Sequence, residues 1–576
     1  MATASRESTS GRATRIGEAP VLRWIVGLLT VVLSLSLLGF VFFYGGNVPY
    51  LDDWDIVPAL TGNQAITFSW LWSQHNEHRL PLPRLLLLGL YQLSGFDFRA
   101  GMVFNAAAVI LMAVLMLHAA ARIRGELSLT DAFIPLLFLS WAHYDNLLWS
   151  WQVGFVSAIL LAILAIHAIS RSPTPTWRTG LCMGILVCAL PLTGAVGLAF
   201  AAPLSIWMMV VVWVYRRRDT RLATTFAIGG ALGLLLICLY FIGYQRAAIQ
   251  PPNSSREWLS GTVDFLSMGL APLSRAGYDS IAGVSARELA GYAIAAMLLA
   301  GLLADMFVRP SRSEFIRASG LAAIISGALI LALGVAWGRG GQCVMPRYVT
   351  LGAPGLMAIY LSSLIRPGSA IGFCARTVLL LLAVLIAWPN MSAARARAQD
   401  RLENKILPFE RDLQSGVPPL VLADHYSQPP SALYPRPRQD DLAADIRMLK
   451  ERGIGLFRSV HDDPSYSAID ISPDTRSSDG TGWYSVKEEQ HVYAVQVSYQ
   501  YLAHSPAQLW AVFRLAWLPA GATESQAREY ARPLPLGGGT DRLLVWIDGP
   551  LGRFHISPDD GTAQCRISRV QLLVKP

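Results

Sequence analysis

Three carboxylates directly follow the first long apolar segment of the chain, residues 21–44. They are Asp52, Asp53 and Asp55, and they lie only a few residues beyond the apolar run. A carboxylate at the depth of the lipid headgroups can act as a general base toward an attacking hydroxyl, and partial burial would raise its pKa towards a useful range. The alternative is that these acids solvate a loop, or cap a helix at Asp53 or Asp55.

A second polar cluster closes the same stretch and contains His75, Glu77, His78 and Arg79. Histidines three residues apart can share a helix face, and with Glu77 and the preceding aspartates they can hold a divalent cation, for which Mg²⁺ or Mn²⁺ suits the carboxylate oxygens. Mg²⁺ does not prefer imidazole ligands, so we favour hydrogen bonds to a substrate or positioning of the aspartates. A structural role at the membrane surface is the remaining alternative.

Two arginines lie in a later connection, within the sequence WGRGGQCVMPRY at 337–348. Arg339 lies in the loop, and Arg347 is followed by Tyr348 at the start of an apolar segment. A guanidinium group there can bind phosphate through two parallel hydrogen bonds and stabilise charge on a leaving group. The alternative is an arginine that extends from a helix end to the lipid headgroups.

The turn at 143–152, HYDNLLWSWQ, contains candidate sugar-binding residues. Tyr144 and Asn146 can donate and accept hydrogen bonds, and Trp149 can stack on a pyranose ring. The same composition is typical of an aromatic turn at the membrane surface, and both interpretations stay open. The chain has no GxSxG motif, no paired CxxC motifs and no Walker sequence, so Ser/His/Asp hydrolysis and ATP use have no support.

Composition and patterning predict an α-helical polytopic membrane protein. Of the 576 residues, 53% are hydrophobic and only 15% are charged, whereas soluble domains carry about 25% charged residues. Eleven apolar segments are predicted spans. These segments are 21–44, 101–121, 131–149, 152–170, 178–192, 195–215, 221–244, 286–308, 317–337, 347–365 and 374–389.

Arginines between the spans predict the orientation. They recur in alternate connections, and residues 1–20 carry three of them, so we expect that side to be cytoplasmic. The Asp52 loop, Arg347 and everything after residue 390 then lie on the outer side. The net charge of +8 is spread over these short segments, which are orientation signals, so no nucleic-acid partner is expected.

These patterns divide the chain into four parts. Within the first outer loop, the leucine-rich stretch after Arg79 predicts a helix in the membrane surface. Near the C-terminus, short alternating runs separated by glycine-rich turns predict a small β-sandwich. The parts are a disordered cytoplasmic tail at 1–20, a transmembrane catalytic domain at 21–389 with outer loops at 45–100 and 245–285, a helical and proline-rich linker at 390–455, and an outer β-sandwich at 456–576.

Asp52 and Asp53, in an outer loop directly after the first span and followed by a surface helix, resemble the GT-C superfamily of integral-membrane glycosyltransferases. The many spans, the Arg347-Tyr348 pair at a later outer helix start and the outer C-terminal β-module are similar to that superfamily as well. It includes protein O-mannosyltransferases, aminoarabinose transferases and arabinofuranosyltransferases.

The resemblance implies a polyprenyl-phosphate sugar donor, membrane lipids as partners, and an extracytoplasmic glycan, lipid or protein acceptor at a bacterial inner membrane. It also implies that Asp52 or Asp53 is the base of an inverting displacement and that an arginine stabilises the departing phosphate. An O-antigen polymerase or ligase stays open, although such enzymes usually place their large loop between late spans. A flippase or transporter stays open too, although it favours charges inside the spans.

Overall fold

The computed structural model describes most of the chain, in segments separated by gaps. The predicted N-terminal tail, parts of the predicted outer loop at 245–285 and most of the proline-rich part of the linker lie outside the described residues. Those described are 20–171, 174–246, 251–270, 280–281, 284–307, 312–339, 343–365, 370–427, 433, 439–462, 465–471, 483–486, 491–503, 510–519, 521–535, 541–557 and 564–574.

Helices dominate the first two thirds of the chain and strands the last fifth. The α-helices are α1 (Pro20–Tyr44), α2 (Val57–Thr61), α3 (Phe68–Trp72), α4 (Pro81–Leu93), α5 (Ala100–Arg124), α6 (Phe133–Phe138), α7 (Tyr144–Leu147), α8 (Val153–Arg171), α9 (Trp177–Ala189), α10 (Ala195–Tyr215), α11 (Thr220–Phe241), α12 (Ser255–Ser267), α13 (Ala286–Phe307), α14 (Arg312–Arg339), α15 (Val349–Ile365), α16 (Ala370–Arg401), α17 (Leu407–Gln414), α18 (Pro419–Tyr426) and α19 (Gln439–Glu451). The strands are β1 (Gln74–His75), β2 (His78–Arg79), β3 (Ser280–Ile281), β4 (Val284–Ser285), β5 (Ser467–Ile471), β6 (Trp483–Ser485), β7 (His491–Ala503), β8 (Trp510–Pro519), β9 (Arg528–Pro535), β10 (Asp541–Ser557) and β11 (Gln564–Val574).

Eight helical runs in the described part of the chain are long and apolar enough to cross a membrane, so this is a multi-pass membrane protein. They contain α1, α5, α8, α10, α11, α14, α15 and α16, and each has the roughly 20 residues that a bilayer requires. Large apolar side chains such as Trp24, Leu35 and Trp388 are exposed on their outward faces, as lipid contact requires. Eight of the eleven predicted spans are thereby confirmed.

The predicted span at 131–149 is not one continuous helix. It consists of the short helices α6 and α7, separated by irregular chain. Ser140 interrupts it, because its backbone is extended and its side chain accepts the N–H two residues later. The segment still packs along α15, where Asn146 donates to Thr350 Oγ1 at 2.6 Å. The other two predicted spans correspond to α9, which has only 13 residues, and α13.

Outside the membrane helices, the first loop and the linker fold together. The helix predicted after Arg79 is present as α4, and its position in the membrane surface stays a prediction. Trp54 is buried and packs edge-on against Phe409 and Phe457, while its indole N–H donates to the Leu433 carbonyl at 3.0 Å. A first hydrophobic core lies between the membrane helices. These residues belong to a second core, to which α17, α18 and α19 contribute, and this second core holds the loop that carries Asp52.

The C-terminal strands form an antiparallel sheet of seven strands, in the order β5-β11-β7-β10-β8-β9, with β6 also paired to β10. The register of β10 is irregular between Trp546 and Gly549, so its first half pairs with β7 and its second half with β8 and β6. Strand β10 thereby divides the sheet into two halves, one that contains β7 and one that contains β8. Side chains from both halves of the sheet, such as Val495 of β7 and Phe554 of β10, fill one core. The two halves enclose that core, as the predicted β-sandwich requires.

The sheet docks on α18 through polar contacts to one residue of β10. The Asp424 carboxylate accepts the N–H of Leu544 at 3.2 Å, and His425 Nε2 lies 3.0 Å from the Leu544 carbonyl oxygen. Leu544 and Trp546 also pack against the second core. The C-terminal sheet therefore lies on the same side of the helices as the Asp52 loop.

Close helix packing predicts a large effect of a side chain at Gly229 in α11. A Cβ atom there would lie 2.7 Å from Gly184 Cα and 2.8 Å from Met208 Cε. We expect Gly229→Leu to lower the free energy of unfolding by about 1–3 kcal/mol, because the contact between α9 and α11 must open. Thermal midpoints in detergent measure this. Gly27→Leu on α1, where a Cβ meets nothing within 4 Å, is the matched control, and equal midpoints for the two variants would contradict the packing.

Candidate functional site

Asp53 anchors the loop that follows α1. Its carboxylate accepts hydrogen bonds from the backbone N–H groups of Tyr50 at 3.1 Å and of Trp151 at 2.7 Å. The first bond caps the 3-10 turn Leu51–Ile56, and the second joins the loop to the start of α8. Because Asp53 is fully buried, its contacts fit the capping alternative that the sequence left open.

Leu51, two residues earlier, has a left-handed backbone with φ 50°. This conformation costs a bulky residue on the order of 1–3 kcal/mol, and a hydrogen bond from the Leu51 N–H to the Leu433 carbonyl at 2.7 Å holds it in place. The turn puts two successive aspartates in different surroundings. Asp53 lies in the protein interior, whereas Asp52 lines a cavity.

A polar cavity of about 240 Å³ lies beside this loop. The tryptophans Trp149 and Trp151 contribute to its wall, so it also has aromatic surface. A carboxylate and two guanidinium groups in one cavity can accept a proton and bind an anion. The predicted site residues that line the polar cavity are Asp52, His75, His78, Arg339 and Arg347.

Arg347 is held in place through its backbone. It lies in the 3-10 turn Pro346–Tyr348 that precedes α15. Asn146 Nδ2 donates to the Arg347 carbonyl at 2.8 Å, and the Asp145 carboxylate accepts the Arg347 N–H. These bonds use main-chain atoms and leave the guanidinium group for the polar cavity. Asn146, a predicted sugar-binding residue, therefore positions Arg347 and is not part of the cavity wall.

His75 bridges two carboxylates. Its Nδ1 lies 3.1 Å from Asp55 Oδ2, and its Nε2 lies 3.7 Å from Asp52 Oδ1. Burial lowers the pKa of His75, but the hydrogen bonds and negative charges of Asp52 and Asp55 outweigh burial and raise the pKa to about 9. The raised pKa favours the cationic form of His75 at neutral pH, beside both carboxylates.

The same three residues could also hold a metal ion. Ligand atoms of Asp52, Asp55 and His75 lie within 4.8 Å of one another. A metal ion would have to replace the proton of His75, because only neutral imidazole is a ligand. Glu77 and His78, the other predicted ligands, are not in this group. A divalent cation such as Mg²⁺ or Mn²⁺ stays a prediction.

Glu77 lies between Arg339 and His78 at the edge of the polar cavity. Glu77 Oε1 pairs with Arg339 Nη2 and lies 3.5 Å from His78 Nε2. His78 Nδ1 accepts the Ala195 N–H at 3.3 Å, which places the imidazole proton on Nε2, towards Glu77. Burial lowers the pKa of His78 to about 3, so His78 is neutral at physiological pH.

An apolar chamber of about 360 Å³ adjoins the polar cavity. Its walls come mainly from α8, α10, α11, α14 and α15, and they include Tyr348 and Glu77 from the predicted site. His78, Phe155 and Arg339 line both spaces and therefore form their junction. A charged cavity joined to an apolar chamber suits an amphipathic ligand.

Four predicted site residues lie outside both spaces: Asp53 and Asn146, described above, and Arg79 and Tyr144. Arg79 is buried, and its guanidinium group donates to the carbonyls of Trp72, Tyr240 and Ile242 at 2.7, 3.0 and 2.9 Å. These bonds hold the β1–β2 hairpin against the end of α11. Tyr144 is hydrogen-bonded to a side chain of α16.

Sequence reasoning missed the contribution of α16 to this region. The guanidinium carbon of Arg401 lies 3.8 Å from the centre of the Tyr50 ring, and Arg397 bonds Tyr144. The two arginines are four residues apart, so they share a helix face, and this spacing is visible in the sequence RAQDR. Trp151, whose N–H binds the buried aspartate, carried no comparable signal because the bond uses its main chain.

Comparisons with known proteins find a structural similarity only. No family model and no curated protein matches the chain. Among solved structures, the crystal structure of ArnT from Cupriavidus metallidurans in the apo state is similar, with 13% sequence identity and a TM-score of 0.42 over 81% of this chain and 96% of that chain. Similarity at this level transfers neither residue roles nor a reaction.

The buried position of Asp53 predicts a pH-dependent stability. Burial raises the pKa of Asp53 from an ordinary value of 3.8 to about 8, although the backbone N–H groups of Tyr50 and Trp151 and the charge of Arg401 oppose this. Between these values the folded protein binds one proton more than the unfolded chain. Its stability therefore falls as pH rises, by at most about 1.4 kcal/mol per pH unit, and the effect levels off above the folded pKa.

Thermal midpoints of the wild type and of Asp53→Asn, measured from about pH 5 to pH 9, test this. We expect the wild-type midpoint to fall relative to that of the variant up to about pH 8, because asparagine does not titrate. Asp97→Asn removes an acid that pairs with Arg99 and should keep the wild-type profile. Parallel curves for the wild type and Asp53→Asn would show that Asp53 is not the titrating group.

Proposed function

We propose that the chain is a membrane glycosyltransferase of the GT-C type, which transfers a sugar from a polyprenyl-phosphate donor to an acceptor hydroxyl. One observation carries the proposal. The polar cavity, with one carboxylate and two arginines in its wall, adjoins the apolar chamber between membrane helices. A polyprenyl-phosphate sugar has the matching parts, which are a long apolar chain, an anionic phosphate and a polar sugar.

Each part of the donor has a complementary surface. The phosphate would bind near the junction, where the guanidinium groups of Arg339 and Arg347 can each form two parallel hydrogen bonds to it. The prenyl chain would occupy the apolar chamber, and the sugar would lie in the polar cavity against Trp149 and Trp151. This arrangement places the bond between sugar and phosphate close to the carboxylate of Asp52.

Asp52 is the proposed base. It takes the proton of the acceptor hydroxyl while that oxygen attacks the anomeric carbon of the sugar. The bond from this carbon to the phosphate oxygen breaks, and the phosphate leaves with the bonding electron pair. Arg339 and Arg347 stabilise the charge on the departing phosphate. Attack from the face opposite the phosphate inverts the configuration at the anomeric carbon.

Asp52 suits this role better than Asp53. Both oxygens of Asp53 accept backbone N–H groups, and its side chain is fully buried. Asp52 lines the polar cavity, and the imidazole of His75 lies 3.7 Å from its carboxylate. The carboxylate of Asp52 therefore lies where an acceptor hydroxyl in the polar cavity can reach it.

We place the site on the outer side of a bacterial inner membrane. The support is the concentration of arginines in the connections on the other side, together with an arginine-bearing N-terminal segment. The linker and the C-terminal sheet lie on the same side as the site. The proposed acceptor is therefore an extracytoplasmic glycan, lipid or protein.

The role of Asp52 predicts a selective loss of turnover. We expect Asp52→Asn to lower kcat by about 10²–10⁴-fold, the usual contribution of a general base. The affinity for the donor should change little, because the phosphate binds the arginines. Transfer of radiolabelled sugar from purified polyprenyl-phosphate sugars, by the protein in detergent, measures both quantities.

Asp97→Asn, at an acid of the same outer loop that pairs with Arg99, is the control and should keep wild-type turnover. Wild-type turnover by Asp52→Asn would refute the base assignment. If the wild type binds and consumes no lipid-linked sugar, the transferase proposal itself fails. Donor that crosses a bilayer without sugar transfer would indicate a flippase.

The apolar chamber predicts a dependence on donor chain length. Gly334 lines the chamber, and a Cβ atom there meets nothing within 4 Å, so a phenylalanine fits the fold while it fills the chamber. We expect Gly334→Phe to raise KM for a long-chain donor about tenfold, the effect of roughly 1.4 kcal/mol of lost apolar burial. KM for a donor with a two-isoprene chain should change less. Gly27→Phe on α1 is the control, and an equal rise of KM for both donors would contradict the placement of the chain.

A further inference from the structure

Arg339 occupies the place where the two spaces meet. It lines both the polar cavity and the apolar chamber, and it is the last residue of α14. Its guanidinium group is paired with the Glu77 carboxylate. A substrate phosphate that uses Arg339 must therefore displace Glu77 or share the guanidinium group with it.

The Glu77 carboxylate is only half satisfied by this pairing. Its Oε1 pairs with Arg339, but Oε2 is buried and accepts no hydrogen bond from the residues that the structure describes. A buried oxygen of a carboxylate without a hydrogen bond is unfavourable. His78 is the neighbouring titratable group, and its neutral imidazole supplies no charge to offset Glu77.

The hairpin fixes the position of Glu77. Glu77 lies in the two-residue turn between β1 and β2, after Asn76, whose left-handed φ of 48° asparagine tolerates well. The hydroxyl of Tyr244 donates to the Glu77 carbonyl at 3.3 Å. Arg79 ties the other end of the hairpin to α11. These contacts therefore hold the backbone of Glu77 at the junction.

We infer that Glu77 is a specificity-determining residue that opposes the phosphate monoester product more strongly than the phosphodiester donor. This inference rests on the proposed function. The donor phosphodiester carries one negative charge, whereas the product monoester carries about 1.5 to 2 at neutral pH. The Glu77 carboxylate competes with the phosphate of the donor or of the product for Arg339. It repels the product more strongly than the donor, because the product carries more negative charge. It thereby favours release of polyprenyl phosphate after each transfer.

Two lipids of equal chain length test the inference by direct binding to the purified protein in detergent at neutral pH. Farnesyl phosphate is the monoester and farnesyl methyl phosphate is the diester. We expect Glu77→Gln, which keeps the size and a carbonyl oxygen for Arg339, to bind the monoester at least about tenfold more tightly than the wild type. Its affinity for the diester should change less than about threefold.

Three further variants complete the test. Glu77→Ala also removes the charge and should show the same selective gain, so the test stands if Glu77→Gln does not fold. Glu77→Asp keeps the charge and should not show the selective gain for the monoester. Glu529→Gln breaks an exposed pair with Arg514 in the C-terminal sheet and should have no effect.

Two results would overturn the inference. Unchanged monoester affinity in both neutral variants would show that Glu77 does not oppose the product. Equal changes for both lipids would make it a positioning residue for Arg339 alone. If the wild type and every variant bind neither lipid, the proposed function fails instead.

Discussion

The two backbone hydrogen bonds that Asp53 accepts are the constraint on which the site depends. The bond from Tyr50 closes the turn within the loop after the first membrane helix, and the bond from Trp151 joins that loop to the short turn before α8. Together with the left-handed turn at Leu51, they direct Asp52 into the polar cavity and its neighbour into the interior. Because breaking either bond would leave a buried polar group unpaired, the loop and α8 cannot separate at low cost. The geometry of the proposed base thus rests on an adjacent acid that takes no part in the chemistry.

The two arginines of the site are controlled in different ways. Arg347 is fixed through its main chain by Asn146 and an adjacent acid, and it lines the polar cavity. Arg339 is held through its side chain by Glu77, so a ligand must compete for it. The availability of Arg339, unlike that of Arg347, therefore depends on an internal carboxylate with which a bound anion must compete. In the proposed reaction, this difference would allow donor binding together with release of the product.

Much of the fold could be predicted from the sequence, because the long apolar helices and helix α4 follow from local composition. The site was less predictable because it depends on contacts between distant segments. Nothing in the pair Asp52-Asp53 distinguishes a residue that lines a cavity from one that caps a turn. The helix break at Ser140 lies within an apolar run that gives no sign of it. Arg401 lies in a segment whose composition predicts only a charged helix. The predicted pairing of a first-loop aspartate with Arg347 agrees with the cavity that contains both Asp52 and Arg347.

The structure of the protein bound to a polyprenyl phosphate would test the central claim most directly, because the two adjoining spaces make a specific prediction about its position. We predict that the phosphate lies within hydrogen-bond distance of Arg347 and Arg339, with the first isoprene units in the apolar chamber and Asp52 facing the same space. A phosphate bound elsewhere, or a prenyl chain outside the chamber, would contradict the account.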